Sequence, residues 1–310
     1  MAIALFTEEG VLIKKESAAV DHREGTEVGE LITDLVKKYL NMPDSDGIKA
    51  VGVSIPGLIR SKTGTIWAPN IPGWDDYPLM KELNDVCGDI PVSLESDRSC
   101  YILGELWQGN AKGCRDAIYL SVGTGIGAGI LVNGAILRGA HNIAGCIGWM
   151  ALDRPFHEKY TSCGCFEYHA SGEGIAKVTR EILNERPEYN GELRNKHPEE
   201  ILAADVFNAY EKRDVVALEV MQQCIEFWGM AVANLISLFN PEKIIFGGGV
   251  FGPGAQFIDA IKAEADKWAQ PISATQVTLE KSGMGGDAGV YGAGLLALQN
   301  IKQVNSSENV

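Results

Sequence analysis

The first hundred residues alternate between short apolar runs and longer stretches with helical spacing. Apolar residues that recur every three or four positions predict helices over 28–40 and 79–87, and a third that passes through Leu103 and Trp107. The short runs are bounded by glycine, proline or charged residues and predict strands: Ile3–Phe6, Val11–Lys14, Ile48–Ile55 and Pro91–Leu94. Strands that alternate with helices in this way are typical of an α/β layer.

The rest of the chain repeats this pattern with longer helices. Helical periodicity covers 173–185, 198–211, 214–239, 256–268 and 287–299. The predicted strands are Ile118–Val122, Ile126–Val132 and Lys243–Phe246, and Asn133-Gly134 is a hairpin signal. We therefore predict a smaller lobe over 1–115, a larger lobe over 116–299 and a tail over 300–310. The helix at 287–299 is a candidate to return to the first lobe.

Composition and charge narrow the classes of function. Of the 310 residues 45% are hydrophobic and 22% charged, which is the balance of a globular chain and excludes disorder. The net charge of −14 disfavours binding to a nucleic-acid backbone. Seven cysteines, an odd number spread along the chain, do not resemble a secreted disulfide framework. We expect neither a secretory leader nor a transmembrane helix, since the sequence contains no unbroken run of about 20 apolar residues. We therefore predict a cytoplasmic protein without membrane or nucleic-acid partners.

Many of the 36 glycines fall into three clusters that suggest loops around a ligand. Gly123-Thr124-Gly125 lies between two predicted strands, which argues against a dinucleotide fingerprint and leaves a phosphate-binding turn or a tight hairpin. Gly247-Gly248-Gly249 follows a predicted strand, so it marks either a site for a base or ribose or a close crossing of two backbones. The third cluster, 283–289, opens the last helix, where helix capping alone explains Asp287.

Asp97 lies where a predicted strand ends and a helix begins, within Glu95-Ser96-Asp97-Arg98. An aspartate at such a position either caps the helix or, if it faces a cleft, takes a proton from a substrate hydroxyl. The residues themselves leave both interpretations open.

Several motifs, each weak alone, occur in one specific order: Gly52–Gly57, Ala68–Trp74, Ser121–Gly129, Arg138–Gly145, Cys163–Gly172, Asn240–Gly249 and Gly286–Gly289. Together they resemble the ROK family of sugar kinases (repressors, open reading frames and kinases). The resemblance extends from residue 2 to about residue 299.

This resemblance implies an α/β protein with the actin/hexokinase-like (ribonuclease H-like) two-lobed ATPase fold and a site in the cleft between lobes. It implies that ATP and Mg²⁺ phosphorylate a hexose hydroxyl, at C6 of glucose or a related sugar, with Asp97 as the general base. The family's sugar-contacting positions fall on Gly57, Asn70, Ser96, Cys146, Trp149 and Glu167. Its phosphate-binding turn falls on Thr124 and Gly125, and its adenosine side on Gly247, Gly248 and Gly249. A homodimer or homotetramer is a further family expectation.

The chain departs from the family pattern at several of these positions. Family kinases carry an Asp-x-Gly-Gly-Thr loop directly before the strand that begins here at Ala2, and the sequence does not contain it. Ser96 stands where the family has an asparagine. Cys146 and Trp149 stand where it has a sugar-contacting glutamate and a histidine that also binds zinc. Trp149 would stack on a sugar face or pack as an ordinary core residue.

The family's zinc motif is also altered. Only Cys165 matches one of its cysteines, and Tyr160 occupies another ligand position. An altered site would use Cys163 and Cys165 with His157. Two soft ligands fall short of the four that a closed structural zinc site needs, so the sequence disfavours zinc.

Two functions remain in view. The leading hypothesis is an ATP-dependent sugar kinase of glucokinase type, and the alternative is a pseudokinase that binds sugar as a regulator. The missing loop reflects either a gene start placed too late or loss of the metal site. The intact downstream turns favour the first explanation.

Overall fold

The computed structural model describes residues 1–42, 47–60 and 62–307 and divides the chain into two compact units. Unit 1 comprises Met1–Gly113, Ile136–Ala144 and Gly283–Val310, and unit 2 comprises Cys114–Ala135 and Gly145–Ser282. This division differs from the single predicted boundary at residue 115, because a short segment in the middle of the chain and the last helix both belong to unit 1.

Unit 1 opens with strands and helices that alternate in short segments. In chain order they are β1 (Ala2–Phe6), β2 (Leu12–Ser17), α1 (Gly25–Leu40), β3 (Val51–Ile55), β4 (Leu58–Ile59), β5 (Ile66–Trp67), α2 (Leu79–Cys87), β6 (Val92–Ser96) and α3 (Asp97–Gln108).

Unit 2 carries the longer helices, and a final helix then completes unit 1. In chain order the elements are β7 (Ala117–Val122), β8 (Ile126–Val132), β9 (Ala135–Ile136), α4 (Cys165–Ala170), α5 (Gly172–Glu185), α6 (Ala203–Glu211), α7 (Val215–Phe239), β10 (Lys243–Gly247), α8 (Ile258–Ala265), α9 (Pro271–Ala274), β11 (Thr278–Lys281) and α10 (Ala288–Ser307).

A single mixed sheet forms the centre of unit 2, with the strand order β11-β10-β7-β8-β9. β10 runs parallel to β7 and β11, and β7 runs antiparallel to β8. Almost every residue of β7, β8 and β10 is buried, as a sheet covered on both faces requires. The long helix α7 is apolar enough to span a membrane by length and composition, but most of its apolar side chains pack inside unit 2.

Unit 1 has separate two-stranded sheets instead. β1 and β2 form an antiparallel hairpin whose turn contains Gly10 with a φ of 88°, a conformation that favours glycine. β3 pairs with β6 in parallel, and β4 pairs with β5 in antiparallel orientation. A core of aliphatic and aromatic residues joins α1, α2 and the strands, and within it Trp74 stacks on Tyr77 with ring centroids 4.5 Å apart.

The structure confirms most of the predicted elements and corrects two of them. The Asn133-Gly134 hairpin is present, with both residues at positive φ. The helix predicted from 198 begins at Ala203, because Pro198–Glu200 forms a separate 3₁₀ turn. The prediction of a tail over 300–310 is wrong for residues up to Ser307, because α10 continues to that residue. Leu298 and Ile301 of α10 line a cavity in unit 1. The rest of the predicted tail lies outside the described residues.

Candidate functional site

The candidate base Asp97 is the first residue of α3, and Ser96 is the residue that caps the helix. The prediction of Asp97 as the N-cap is therefore wrong by one position. β6 ends at Ser96, which pairs in register with Ile55 at the end of its parallel neighbour β3. Segments that follow parallel strands meet at one edge of a sheet, the usual place for ligands in α/β folds. This register brings Gly57 and Asp97 to the same edge of unit 1.

Both carboxylate oxygens of Asp97 accept hydrogen bonds. Oδ1 accepts the backbone N–H of Arg98 at 2.8 Å and the hydroxyl of Ser96 at 3.4 Å. Oδ2 accepts the hydroxyl of Tyr101 at 3.3 Å. Burial raises the pKa of Asp97 above its ordinary value, although the Arg98 N–H and charge and the two hydroxyls act in the opposite direction. The Asp97 carboxylate is therefore fixed by hydrogen bonds and is a stronger base than a free aspartate.

An ion pair between the buried Glu95 and the half-exposed Arg138 fixes the peptide that leads into Asp97. The Glu95 carboxylate is buried and accepts the Arg138 Nε–H at 2.7 Å and the Ser96 N–H at 2.9 Å. Arg98 Nε in turn donates to the Ser96 hydroxyl at 3.2 Å. Because charge-assisted hydrogen bonds are directional and strong, this network sets the position of Asp97 from the strand side.

Two predicted sugar-contacting residues, Gly57 and Asn70, lie in the same unit as Asp97. Any side chain at Gly57 would collide with the carbonyl oxygen of Trp67, so close backbone packing alone requires glycine there. Asn70 is exposed and lines, together with Asp97 and Tyr101, one large cavity of unit 1. The structure thus brings Asn70 and Asp97 to one cavity, as the sequence predicts for groups that share a ligand.

In unit 2, Gly123-Thr124-Gly125 is the turn between β7 and β8. The Gly123 N–H donates to the Gly125 carbonyl at 2.9 Å, which closes the turn. The first N–H groups of α5 donate to the carbonyls of the turn, Gly172 to Gly123 at 2.8 Å and Glu173 to Thr124 at 3.4 Å. The turn is both a tight hairpin and a neighbour of a helix N-terminus, where the partial positive charge favours an anion. Thr124 is exposed there.

Glu167 contacts this turn from α4. Its Oε2 accepts the Ile126 N–H at 2.6 Å. A Cβ at Gly125 would lie 2.7 Å from the same oxygen, and one at Gly148 would lie 2.9 Å away, so glycine is needed on both sides of the carboxylate. Burial raises the pKa of Glu167, and the Ile126 N–H opposes this shift. The predicted sugar-contacting Glu167 and the predicted phosphate turn are therefore in direct contact.

The two residues that depart from the family pattern near Glu167 lie around a short 3₁₀ turn, Ile147–Trp149. Trp149 is 58% exposed, so the interpretation of it as a core residue is wrong. Cys146 precedes the turn and is partly buried. An exposed indole is a surface on which an apolar sugar face can stack.

Gly247-Gly248-Gly249 follows β10, and each glycine has a different structural setting. A side chain at Gly247 would collide with the Tyr119 hydroxyl. Gly248 has a φ of 86°, and a Cβ there would collide with the Val122 carbonyl. The close crossing of two backbones is thus present at Gly248, and the Tyr119 side chain accounts for Gly247, so neither glycine requires a ligand. Gly249 has open space around it, which a base or ribose could occupy.

Within the described ranges no group of three histidine, cysteine or acidic side chains is placed to hold a metal ion. Cys165 is buried, Cys163 is partly buried and His157 is exposed. The neighbouring His169 is engaged otherwise, since its Nε2 bonds the Tyr160 hydroxyl at 2.9 Å and its ring stacks on Phe227. The residues present do not fit the altered zinc site.

Sequence reasoning missed several residues that surround Asp97. Tyr101 lies four positions after Asp97 on α3, so helical spacing could have identified it as a neighbour. Glu95 and Arg138 are 43 residues apart and pair only through the fold, and no sequence signal indicates their contact.

Comparisons with known proteins agree on one family. The model of the ROK family matches residues 1–300. A glucokinase from Halalkalibacterium halodurans is 34% identical to this chain and covers 99% of it and 93% of its own length. A xylose repressor from Caldicellulosiruptor bescii is 31% identical, over 75% of this chain and 58% of the repressor.

A solved structure gives the same result. The ROK family glucokinase from Streptomyces griseus, in complex with glucose and AMPPNP, superposes with a TM-score of 0.73 at 27% identity. The match covers 96% of this chain and 95% of that structure.

Proposed function

Because this chain belongs to the ROK family and is a sugar kinase with the actin/hexokinase-like two-lobed fold, we propose that it transfers the terminal phosphoryl group of ATP to a hexose. The acceptor that we propose is the C6 hydroxyl of glucose or a related sugar. Its similarity to proteins named glucokinase supports this choice. A cytoplasmic location and a homodimeric or homotetrameric state are parts of the same proposal.

The observation that carries the proposal is the setting of Asp97. Its carboxylate lies at the carboxyl end of a parallel strand, lines a cavity, and is held by hydrogen bonds on both oxygens. Its raised pKa makes it a better proton acceptor than a free aspartate. In the proposed reaction Asp97 orients the sugar hydroxyl and accepts its proton as the oxygen attacks the phosphorus atom.

Each unit carries residues to which we assign sugar contacts. In unit 1 we assign sugar contacts to Gly57, Asn70 and Ser96. Ser96 is a shorter donor than the family's asparagine, and its hydroxyl is already engaged with Asp97 and Arg98. We therefore expect it to hold the sugar less firmly than an asparagine would.

In unit 2 we assign sugar contacts to Glu167, Cys146 and Trp149. Glu167 keeps one carboxylate oxygen on the Ile126 N–H, which leaves the other to accept a sugar hydroxyl. The exposed Trp149 ring is available to stack on a sugar face.

The nucleotide would bind to unit 2. We assign the phosphates to the Thr124–Gly125 turn, where the exposed Thr124 and the N-terminus of α5 both favour an anion. We assign the adenosine side to Gly247–Gly249, of which Gly249 faces open space. Mg²⁺ is held in such sites mostly by the phosphates and one or two carboxylates, so it fits a chain whose described part has no ready-made metal cluster. When bound, the ion neutralises charge on the transferred phosphate.

A regulatory role is the second candidate. A protein named xylose repressor is 31% identical to this chain, and a chain that binds sugar without turnover would have a regulatory role. The two candidates differ in one measurable quantity, the release of ADP in the presence of a hexose.

The test is a coupled ADP-release assay over a panel of hexoses, combined with Asp97→Asn. Loss of the base should lower kcat by about 10²–10⁴-fold and leave sugar affinity, measured by calorimetry, within about threefold. The matched control is Asp85→Asn, since Asp85 is an exposed aspartate on α2 of the same unit. Joint loss of turnover and sugar binding in Asp97→Asn would make Asp97 a structural residue. Sugar binding by the unaltered chain with no ADP release would establish the regulatory role.

A further inference from the structure

The segment over 150–164 of unit 2 leads from the exposed Trp149 to the first turn of α4, and it is called the 150–164 loop below. Its regular structure is limited to one 3₁₀ turn, Glu158–Ser162. A segment of this length with so little secondary structure needs contacts from its own side chains to hold one conformation. Since the residues present do not fit a zinc site, those contacts must come from protein groups.

Tyr160 is the centre of the attachment between the 150–164 loop and α4. Its side chain is buried, and its hydroxyl bonds His169 Nε2 at 2.9 Å. The same hydroxyl bonds Asp153 Oδ2 at 3.4 Å, near the start of the loop, and the side chain of Cys165 at the start of α4. One phenol group thus joins three separate points of the chain.

Aromatic packing continues from this hydroxyl into the core of unit 2. The Tyr160 ring packs edge-on against Tyr168, with ring centroids 5.7 Å apart. His169 stacks on Phe227 of α7 at 4.4 Å, and Phe227 is itself buried. Edge-to-face and stacked aromatic pairs stabilise a contact beyond the area that they bury. The loop is therefore tied through His169 to a helix in the core.

A second attachment of the loop lies at the surface. Lys159 Nζ is 2.9 Å from a Glu181 carboxylate oxygen and 4.5 Å from the ring centroid of Tyr168. The Lys159 and Glu181 side chains are 35% and 42% exposed. Ion pairs that face water contribute little, because water and salt screen them. The buried hydroxyl of Tyr160 is therefore the principal attachment.

The backbone connects this attachment to residues that we assign to the sugar. The Tyr160 carbonyl accepts the Gly164 N–H at 2.8 Å, and Gly164 is the N-cap of α4 with a φ of 87°. A Cβ at Gly164 would lie 2.5 Å from the Gly148 carbonyl oxygen and 2.6 Å from Trp149 Cα. Gly148 in turn packs against the Glu167 carboxylate. A displacement of Gly164 would therefore move the turn that carries Trp149 relative to Glu167.

We propose that Tyr160 is a positioning residue, which anchors the 150–164 loop to α4 through His169 without a metal ion and so sets the place of Trp149 relative to Glu167. This inference rests on the proposed function, because it is there that both residues are assigned to the sugar. A tyrosine suits the task, since its side chain has only two rotatable angles and combines a large apolar body with a polar end.

The test begins with Tyr160→Phe, which removes the hydroxyl and keeps the ring. Amide hydrogen exchange of the sugar-free protein, followed by mass spectrometry, should become about three- to tenfold faster over 147–164, the effect of losing one or two hydrogen bonds. Exchange in α7 should stay unchanged. The matched control is Tyr189→Phe, because the Tyr189 hydroxyl also bonds a carboxylate of unit 2, that of Asp214, but lies outside the loop. We expect this control to leave exchange over 147–164 unchanged.

Sugar binding distinguishes a positioning role from a purely structural one. For the hexose of the panel with the highest kcat/KM, Tyr160→Phe should raise KM and the calorimetric Kd by about three- to tenfold and change kcat by less than about twofold. The reason is that Trp149 and Glu167 are assigned to hold the sugar and not to accept its proton. The Tyr189→Phe control should leave both constants unchanged.

The outcomes separate this inference from the proposed function. Unchanged exchange in Tyr160→Phe would overturn the anchor, and faster exchange with an unchanged Kd would overturn the positioning role. An unaltered chain that binds no hexose would overturn the proposed function and the positioning role together, while exchange would still decide the anchor. If Tyr160→Phe does not fold, His169→Leu removes the same hydrogen bond from the side of α4 and is measured in its place.

A chelator tests whether the anchor is free of metal. Treatment of the unaltered protein with phenanthroline, in the absence of ATP and Mg²⁺, should leave exchange over 147–164 and the calorimetric Kd unchanged. Exchange that rises as much as in Tyr160→Phe would mean that a bound metal ion holds the loop, and would overturn the proposal.

Discussion

Strand β1 of unit 1 and strand β7 at the centre of the unit 2 sheet have similar sequences and different surroundings. β1 reads Ala2-Ile3-Ala4-Leu5, and β7 reads Ala117-Ile118-Tyr119-Leu120. All four of these β7 residues are buried between two paired neighbours, β10 and β8. None of the four β1 residues is fully buried, and among the described residues β1 pairs with β2 alone. An apolar sequence thus allows a strand to be buried, and the number of strands that pair with it determines how much of its surface is buried.

A matched pair of leucine truncations measures this difference most directly. Leu120→Ala in β7 removes a side chain that is fully buried and should lower the free energy of unfolding by about 2–5 kcal/mol. Leu5→Ala in β1 removes a partly buried side chain that lines the large cavity of unit 1, so we expect a cost below about 1.5 kcal/mol. Urea unfolding of the two variants gives both values.

The same pair tests the origin of the difference. Equal costs for the two truncations would contradict the comparison, since they would mean that β1 is as well packed as β7.

The closed core of unit 2 also creates an acid-sensitive group that is specific to it. His169 is buried, and its Nδ1 has no hydrogen-bond partner. Burial lowers its pKa from 6.5 to about 4, with the charge of Lys159 acting in the same direction. The unfolded chain therefore binds a proton between pH 6.5 and pH 4 that the folded chain does not. Stability contributed by neutral His169 is present above pH 6.5 and is lost as the pH falls toward 4.

We expect this loss to amount to about 1–3 kcal/mol and to disappear in His169→Gln, which retains an acceptor for the Tyr160 hydroxyl. The measurement is the free energy of unfolding in urea at several pH values between 7 and 4. His197→Gln is the control, because His197 is an exposed histidine of the same unit. An unchanged pH dependence in His169→Gln would show that other groups cause the acid sensitivity of unit 2.

Features that depend on neighbouring residues could be predicted from the sequence, and features that depend on distant residues could not. Strand and helix positions, the Asn133-Gly134 hairpin and the strand-to-helix junction at Asp97 depend on local pattern and were predictable. The separate sheets of β1 and β3 were not, because strand pairing depends on residues about fifty positions apart. The contact of Glu95 with Arg138 is equally non-local. Trp149 was ambiguous because its exposure depends on the loop that carries it and not on its own chemistry.

The smallest effect concerns the carboxylates of the two units. Glu167 of unit 2 is enclosed by Gly125 and Gly148, whereas Asp97 of unit 1 lines a large cavity. The pKa of Asp97 is raised by burial and held down in part by the Tyr101 hydroxyl. Removing that hydroxyl in Tyr101→Phe takes away a hydrogen bond to the ionised form, so the pKa should rise further.

Because the proposed base works only when ionised, activity falls as the pH drops through the pKa of Asp97. In Tyr101→Phe the acid limb of kcat should therefore move to higher pH, while kcat on the alkaline plateau changes by less than about threefold. A purely structural role of Tyr101 would lower activity equally at every pH and leave the limb in place. The Phe side chain keeps the aromatic packing of Tyr101, so the position of the limb reports the single hydrogen bond to Asp97 Oδ2.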